Sequence, residues 1–128
     1  MALTVRLNHV SLLVRNKDVS AAFYRDVLGL TEIACGAGRP HIRWFGLGNG
    51  QSVHLIEGDT SSTRFTLTNH FCISTDDLPG TMADLTAKGV RQFDSSGNEG
   101  VMAVRADGVK SVFIQDPDGF WVEINEDF

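Results

Sequence analysis

Apolar and polar residues alternate over 7–14, placing Val10, Leu12 and Val14 on one face of a strand and His9, Ser11 and Leu13 on the other. The period then lengthens. Val19, Phe23, Val27 and Leu30 recur at helical spacing, with Asp18 or Ser20 available as N-cap and Gly29 where a helix ends in a left-handed residue. Three short strands are predicted to follow, near 30–35, 41–47 and 51–57. Gly36-Ala37-Gly38-Arg39-Pro40 and the hairpin signal Gly48-Asn49-Gly50 separate them.

The second half repeats this order. A strand over 70–75 precedes a helix capped by Asp77, with Leu78, Met82 and Leu85 inward and Gly89 at its end. Strands near 92–94, 101–106, 110–115 and 120–125 come next, the last introduced by the turn Asp116-Pro117-Asp118-Gly119. The duplication is also literal. Asn8-His9 returns as Asn69-His70, and Gly50-Gln51-Ser52-Val53-His54-Leu55-Ile56-Glu57 returns as Gly119-Phe120-Trp121-Val122-Glu123-Ile124-Asn125-Glu126. His9 and His70 are 61 positions apart, and Gly29 and Gly89 are 60 apart. Each half therefore reads β-α-β-β-β. The expected fold is one α+β domain over 1–128, with modules at about 5–58 and 67–128 and a polar linker over about 59–66.

Composition removes several function classes. A chain of 128 residues, 42% hydrophobic and 21% charged, suits a globular domain. A net charge of −5 with no Lys/Arg run argues against nucleic acid as partner. No apolar stretch approaches the ~20 residues that span a bilayer. The segment Met1-Ala2-Leu3-Thr4-Val5-Arg6-Leu7 lacks the regions of a signal peptide. Cys35 and Cys72 are far apart and predict no disulfide, so a reducing cytoplasm is the expected location.

The polar strand faces carry the candidate chemistry. His9 shares a face with Ser11, His54 with Ser52, His70 with Cys72 and Ser74, and Glu123 with Trp121 and Asn125. Opposite them lie Val10/Leu12, Val53/Leu55, Phe71/Ile73 and Val122/Ile124. Any one of these histidines, alone, reads as an ordinary structural residue. Together, three of the four histidines occupy repeat-equivalent positions facing what would be a wet cleft, and one site built from two halves is predicted. His41 has no clear repeat partner, and Glu57, three residues beyond His54, points to the other face. Imidazoles with one carboxylate suit a divalent ion such as zinc, nickel, cobalt, manganese or iron(II) in a site with exchangeable water. Cys72 reads first as a small buried hydrophobe and second as a group beside that ion.

These residues resemble the vicinal oxygen chelate superfamily, which includes glyoxalases, extradiol dioxygenases, fosfomycin thiol transferases, methylmalonyl-CoA epimerases and metal-free bleomycin-binding proteins. The resemblance rests on Leu7-Asn8-His9-Val10, Phe23-Tyr24-Arg25-Asp26-Val27-Leu28-Gly29-Leu30, Val53-His54-Leu55-Ile56-Glu57, Asn69-His70-Phe71 and Asp116-Pro117-Asp118-Gly119-Phe120-Trp121-Val122-Glu123. It implies paired βαβββ modules forming a curved mixed sheet around a metal cleft, with ligands at His9, His70 and Glu123. His54 fills the fourth-strand position, where glyoxalase I typically has Glu, and completes the expected four-ligand set of His9, His54, His70 and Glu123.

The function so implied is a metal-dependent, glyoxalase-like lyase or isomerase acting on a small carbonyl or thiol-adduct substrate with vicinal oxygens. Glu123 would be both ligand and base. The alternatives are an extradiol-type dioxygenase, a thiol transferase of fosfomycin type, and a resistance protein that holds an apolar drug near Trp44, Phe45 and Trp121. No counterpart of the transferases' potassium-binding loop is evident near 109–114. One module offers two ligands, His9 with His54 or His70 with Glu123. Small relatives pair modules across a two-fold axis, so a homodimer with metal sites shared between chains is expected.

Overall fold

The computed structural model describes all residues 1–128. The chain divides into two compact units, Met1–Thr63 and Arg64–Phe128. Each unit holds one four-stranded mixed sheet. No helix is long and apolar enough to cross a membrane.

The first unit runs β1 (His9–Val14), α1 (Lys17–Ala22), a π-helical turn (Phe23–Val27), β2 (Thr31–Ile33), β3 (Ile42–Gly46) and β4 (Ser52–Glu57). Its sheet order is β1-β4-β3-β2, with β1 parallel to β4 and the other neighbours antiparallel. A parallel pair needs a long crossover, which the helix and two further strands supply. Leu12 and Val14 of β1 are buried with Phe45, Val53 and Leu55, while His9, Ser11 and Leu13 are exposed. The predicted alternation therefore holds on β1.

The helix differs from expectation at its start. Asn16, rather than Asp18 or Ser20, is the N-cap, its side chain accepting from the N–H groups of Asp18 and Val19. The earlier entry turns Ser20 and Ala21 inward and leaves Val19 53% exposed. The π turn, closed by Leu28 N–H donating to Phe23 O at 3.2 Å, then carries Phe23 and fully buried Tyr24 into the core. Gly29 ends it at φ +70°, as expected. Glu57 Oε2 accepts from Lys17 N–H at 2.9 Å, tying the end of β4 to the helix start.

The second unit runs β5 (His70–Ser74), α2 (Leu78–Ala87), β6 (Ala103–Val104), β7 (Lys110–Gln115) and β8 (Trp121–Asn125), in sheet order β5-β8-β7-β6. Asp77 caps α2 through Gly80 N–H, Leu78 and Leu85 are buried, and Met82 is half-buried. The strand predicted over 92–94 is only a bridge at Phe93, which pairs with Phe113 and Glu99. The one predicted over 101–106 shrinks to Ala103–Val104. Turn-forming Gly97, Gly100 and Gly108, all at positive φ, interrupt that stretch.

The turn before β8 is held from inside. Buried Asp116 receives the N–H groups of Asp118, Gly119 and Phe120 on one carboxylate oxygen at 2.9–3.0 Å. Gly119 stands at φ +108°, and a Cβ there would meet the Phe65 ring at 3.3 Å. Removing the Asp116 carboxylate takes this acceptor from the Asp118 and Phe120 N–H groups in a partly buried turn, while Gly119 N–H keeps Asp116 O. Asp116→Ala should lower the urea-unfolding free energy by about 2–3 kcal/mol. Asp59→Ala, whose exposed carboxylate accepts from one turn N–H, that of Ser61, should leave the urea midpoint almost unchanged.

Candidate metal centre

The β5/β8 register sets His70 beside Trp121 and Cys72 directly across from Glu123. His70 Nδ1 donates to Leu67 O at 2.8 Å, because a carbonyl oxygen can only accept. With Nδ1 as the donor, a ring holding a single N–H presents Nε2 as a lone pair, and Nε2 lies 3.5 Å from Glu123 Oε1. Two acceptors facing each other call for a cation between them, either a proton or a metal ion. Atoms bound about 2.0–2.2 Å from one tetrahedral ion stand roughly 3.4 Å apart, so this spacing fits a shared metal. The backbone hydrogen bond behind His70 is the kind of outer support that metal-binding histidines use.

His9 is prepared in the same way by different means. Its Nδ1 pairs with Asn8 Oδ1 at 2.7 Å, leaving Nε2 free. The literal repeat Asn-His therefore conceals a difference: Asn8 holds His9, whereas Leu67 O, not Asn69, holds His70. His54 stands apart. It is 8% exposed rather than lining a wet face, and its Nε2 bonds Ser52 Oγ at 2.9 Å. Its ring stacks on His9 at 4.0 Å and on Trp44 at 3.9 Å, with interplanar angles of 12° and 2°. Burial, and secondarily the neighbouring His9, hold His54 below the ordinary histidine range, which keeps it neutral.

Imidazole lone pairs lie in the ring plane. The planes of His9 and His54, inclined by 12°, meet many ring widths away, far beyond a metal–nitrogen bond of about 2.0–2.1 Å. As the rings stand, one ion cannot take both. His41 lies in the turn ahead of β3, and Glu57 serves the start of α1, so neither competes for the site. The candidate donors thus form two pairs, one per unit, and no group of three or more His, Cys, Asp or Glu side chains is placed to hold a metal ion.

Cys72 corrects the reading as a buried hydrophobe. It is exposed, and its Sγ donates to Glu123 Oε2 at 3.3 Å. The surrounding chain still desolvates the sulfur. Burial first, then the hydrogen bond to Glu123 and that carboxylate's charge, push the thiol up to about 12. A cavity of about 130 Å³ opens beside Glu123, lined by Ala103, Arg105, Ser111, Phe113 and Asn125 among others. Arg105 at its edge is bound by Asp107 and Asp127. Phe45 is fully buried in the first unit, so its ring is not open to the drug expected beside it.

The sequence profile of the Glyoxalase/Bleomycin resistance protein/Dioxygenase superfamily matches residues 6–124. The chain belongs to this superfamily. It is 28% identical over 134 aligned positions to the mitochondrial methylmalonyl-CoA epimerase of Mus musculus, covering 94% of this chain and 72% of that protein. A lactoylglutathione lyase structure from Agrobacterium tumefaciens aligns at 25% identity and TM-score 0.72, covering 97% of this chain and 95% of that one. The structure of oxidase ChaP-H2 aligns at TM-score 0.75 and 24% identity, covering 97% and 94%, a likeness of fold. Members of the superfamily are mostly enzymes and generally bind divalent metal ions. The His70–Glu123 pair and the free Nε2 of His9 fit that chemistry.

The Cys72 thiol sets a test of this local geometry. In the metal-free protein, Cys72 should react with iodoacetamide at pH 8 orders of magnitude more slowly than the same residue in urea, since its thiolate is scarce. Glu123→Gln removes the nearby charge and should raise that rate, read by mass spectrometry of the Cys72 peptide.

Proposed function

We propose that this protein is a divalent-metal-dependent lyase or isomerase acting on a small substrate with two adjacent oxygens. His9, His70 and Glu123 are the proposed ligands, and Glu123 is the base. The observation that carries the reading is the His70 Nε2–Glu123 Oε1 spacing of 3.5 Å, with the His70 tautomer already fixed by Leu67 O. A bound divalent ion would draw electron density from both substrate oxygens and acidify the neighbouring C–H.

The chain's own groups supply the rest. Glu123 is the one carboxylate among the candidate positions, and its side chain keeps 18% exposure at the edge of the 130 Å³ cavity. It accepts the substrate proton on one carboxylate oxygen and returns it to the adjacent carbon or oxygen. Cys72 Sγ–H holds Oε2 during that exchange, leaving Oε1 turned towards His70. Ser111 and Asn125 offer hydrogen bonds within the cavity, and Phe113 packs edge-on to His70 at 5.0 Å. The small volume matches a compact substrate or the reacting end of a longer one.

A second reading has its own observation. With His54 held in the ring stack, the remaining donors are two histidines and one carboxylate, the set that non-haem iron oxygenases use with open positions for substrate and O₂. Members of the superfamily often form dimers. We infer a homodimer in which the first module of one protomer and the second module of its partner complete each site, because the first module offers only His9 and the second only His70 and Glu123.

Metal content of the purified protein, read by mass spectrometry, should fall strongly in His9→Ala and Glu123→Ala and stay unchanged in His41→Ala. Equal loss from His41→Ala would contradict this ligand set. Turnover of a methylglyoxal–thiol adduct without oxygen uptake is expected; catechol-dependent O₂ consumption would favour the second reading. The shared site predicts recovery on mixing. A His9→Ala/His54→Ala chain exchanged with a His70→Ala/Glu123→Ala chain should regain one metal site per heterodimer. Confirmed exchange without recovery would contradict sharing.

A further inference from the structure

Three flat rings lie face to face in the first unit, Trp44 on His54 and His54 on His9. The register creates the first contact, since Trp44 and His54 are directly opposed on β3 and β4. His9 stands opposite Ser52, whose hydroxyl bonds His54 Nε2. The far end of the stack is set by packing alone. Trp44 Nε1 is buried without a hydrogen-bond partner, and the indole edge lies 3.1 Å from where a Cβ on Gly36 would stand. Gly36 therefore leaves the notch that seats the indole. The near end is His9, exposed to solvent, with Asn8 holding its Nδ1.

The geometry points to His54 as a positioning residue, a buried plate backed by Trp44 that fixes the plane of the His9 ring so that Nε2 meets the metal. This rests on the proposed ligand set of His9, His70 and Glu123. Three observations separate a plate from a ligand. The His54 plane is nearly parallel to that of His9, its Nε2 is engaged by Ser52, and the residue is buried where His9 is open. Core packing by itself gives no reason to stack an exposed imidazole over a buried one. Asn8 fixes which nitrogen of His9 carries the proton, and the stack fixes where the ring plane lies. With His54 off the ion, three protein donors remain, and the ion keeps an extra position for a substrate that binds through two oxygens.

The test separates the flat ring from the nitrogen. His54→Phe, combined with Ser52→Ala so that no hydroxyl is orphaned, keeps the plate and removes any donor. His54→Ala removes both, and His54→Leu serves in its place if the alanine chain does not fold. Cobalt(II) affinity should remain within about threefold of wild type in the Phe variant and weaken about 10–100-fold in the Ala or Leu variant. In the metal-free protein, the His9 ring protons should keep their upfield ring-current displacement in the Phe variant and lose it in the other.

A Phe variant that loses cobalt as completely as His9→Ala would make His54 a ligand and overturn the proposal. Wild-type cobalt affinity in the Ala or Leu variant would also overturn it. If His9→Ala binds cobalt as the wild type does, or the wild type binds none, the ligand set itself is wrong, and the plate has no metal to serve.

Discussion

Parallel strands cannot be joined by a tight turn, so a chain that pairs its first strand with its last must fill the interval with other structure. Both halves obey this constraint. β1 pairs with β4 and β5 with β8, and the helix and two further strands between them make each crossover possible. The register of those two parallel pairs sets two of the relationships at the site. It puts Cys72 opposite Glu123 and His9 opposite Ser52, within reach of His54. A slip of one residue would turn the candidate donors into the core and bring Val53 or Val122 out in their place.

The duplicated frame is thus a statement about backbone, and the two copies have filled it differently. The second copy holds an acid, a thiol and an imidazole supported by a main-chain carbonyl. The first holds only rings and hydroxyl or amide supports, with no carboxylate on the face. Under the proposed function, one half would take up a proton and the other would hold a donor still.

Much of this was legible in the residues. The period-two alternation gave β1 and β8 their faces, and the positive-φ glycines Gly29 and Gly89 closed both helical segments where expected. What the chain did not reveal were effects of neighbours in space. Asn16 capped α1 because its side chain reached two N–H groups that Asp18, already inside the helix, could not. The strand predicted over 92–94 depended on flanking glycines that bend it into a bridge. His54 and Glu123 occupy the same slot of the repeat, yet one is buried by flanking rings and the other is half open. The thiol of Cys72 was misjudged for a related reason, since its partner is on a strand 51 residues later.

The stacked indole has a consequence for how the molecule can be watched. The chain has two tryptophans, and each unit holds one: Trp44 over the His54 imidazole and Trp121 edge-on to Phe93 at 5.3 Å. Trp44 is packed flat on a neutral imidazole and Trp121 meets a phenyl edge, so the two indoles report different surroundings. An emission change confined to Trp44 would signal an opened stack. The two halves carry their own optical labels, and Trp44 lies one ring away from the His9 imidazole proposed to bind metal.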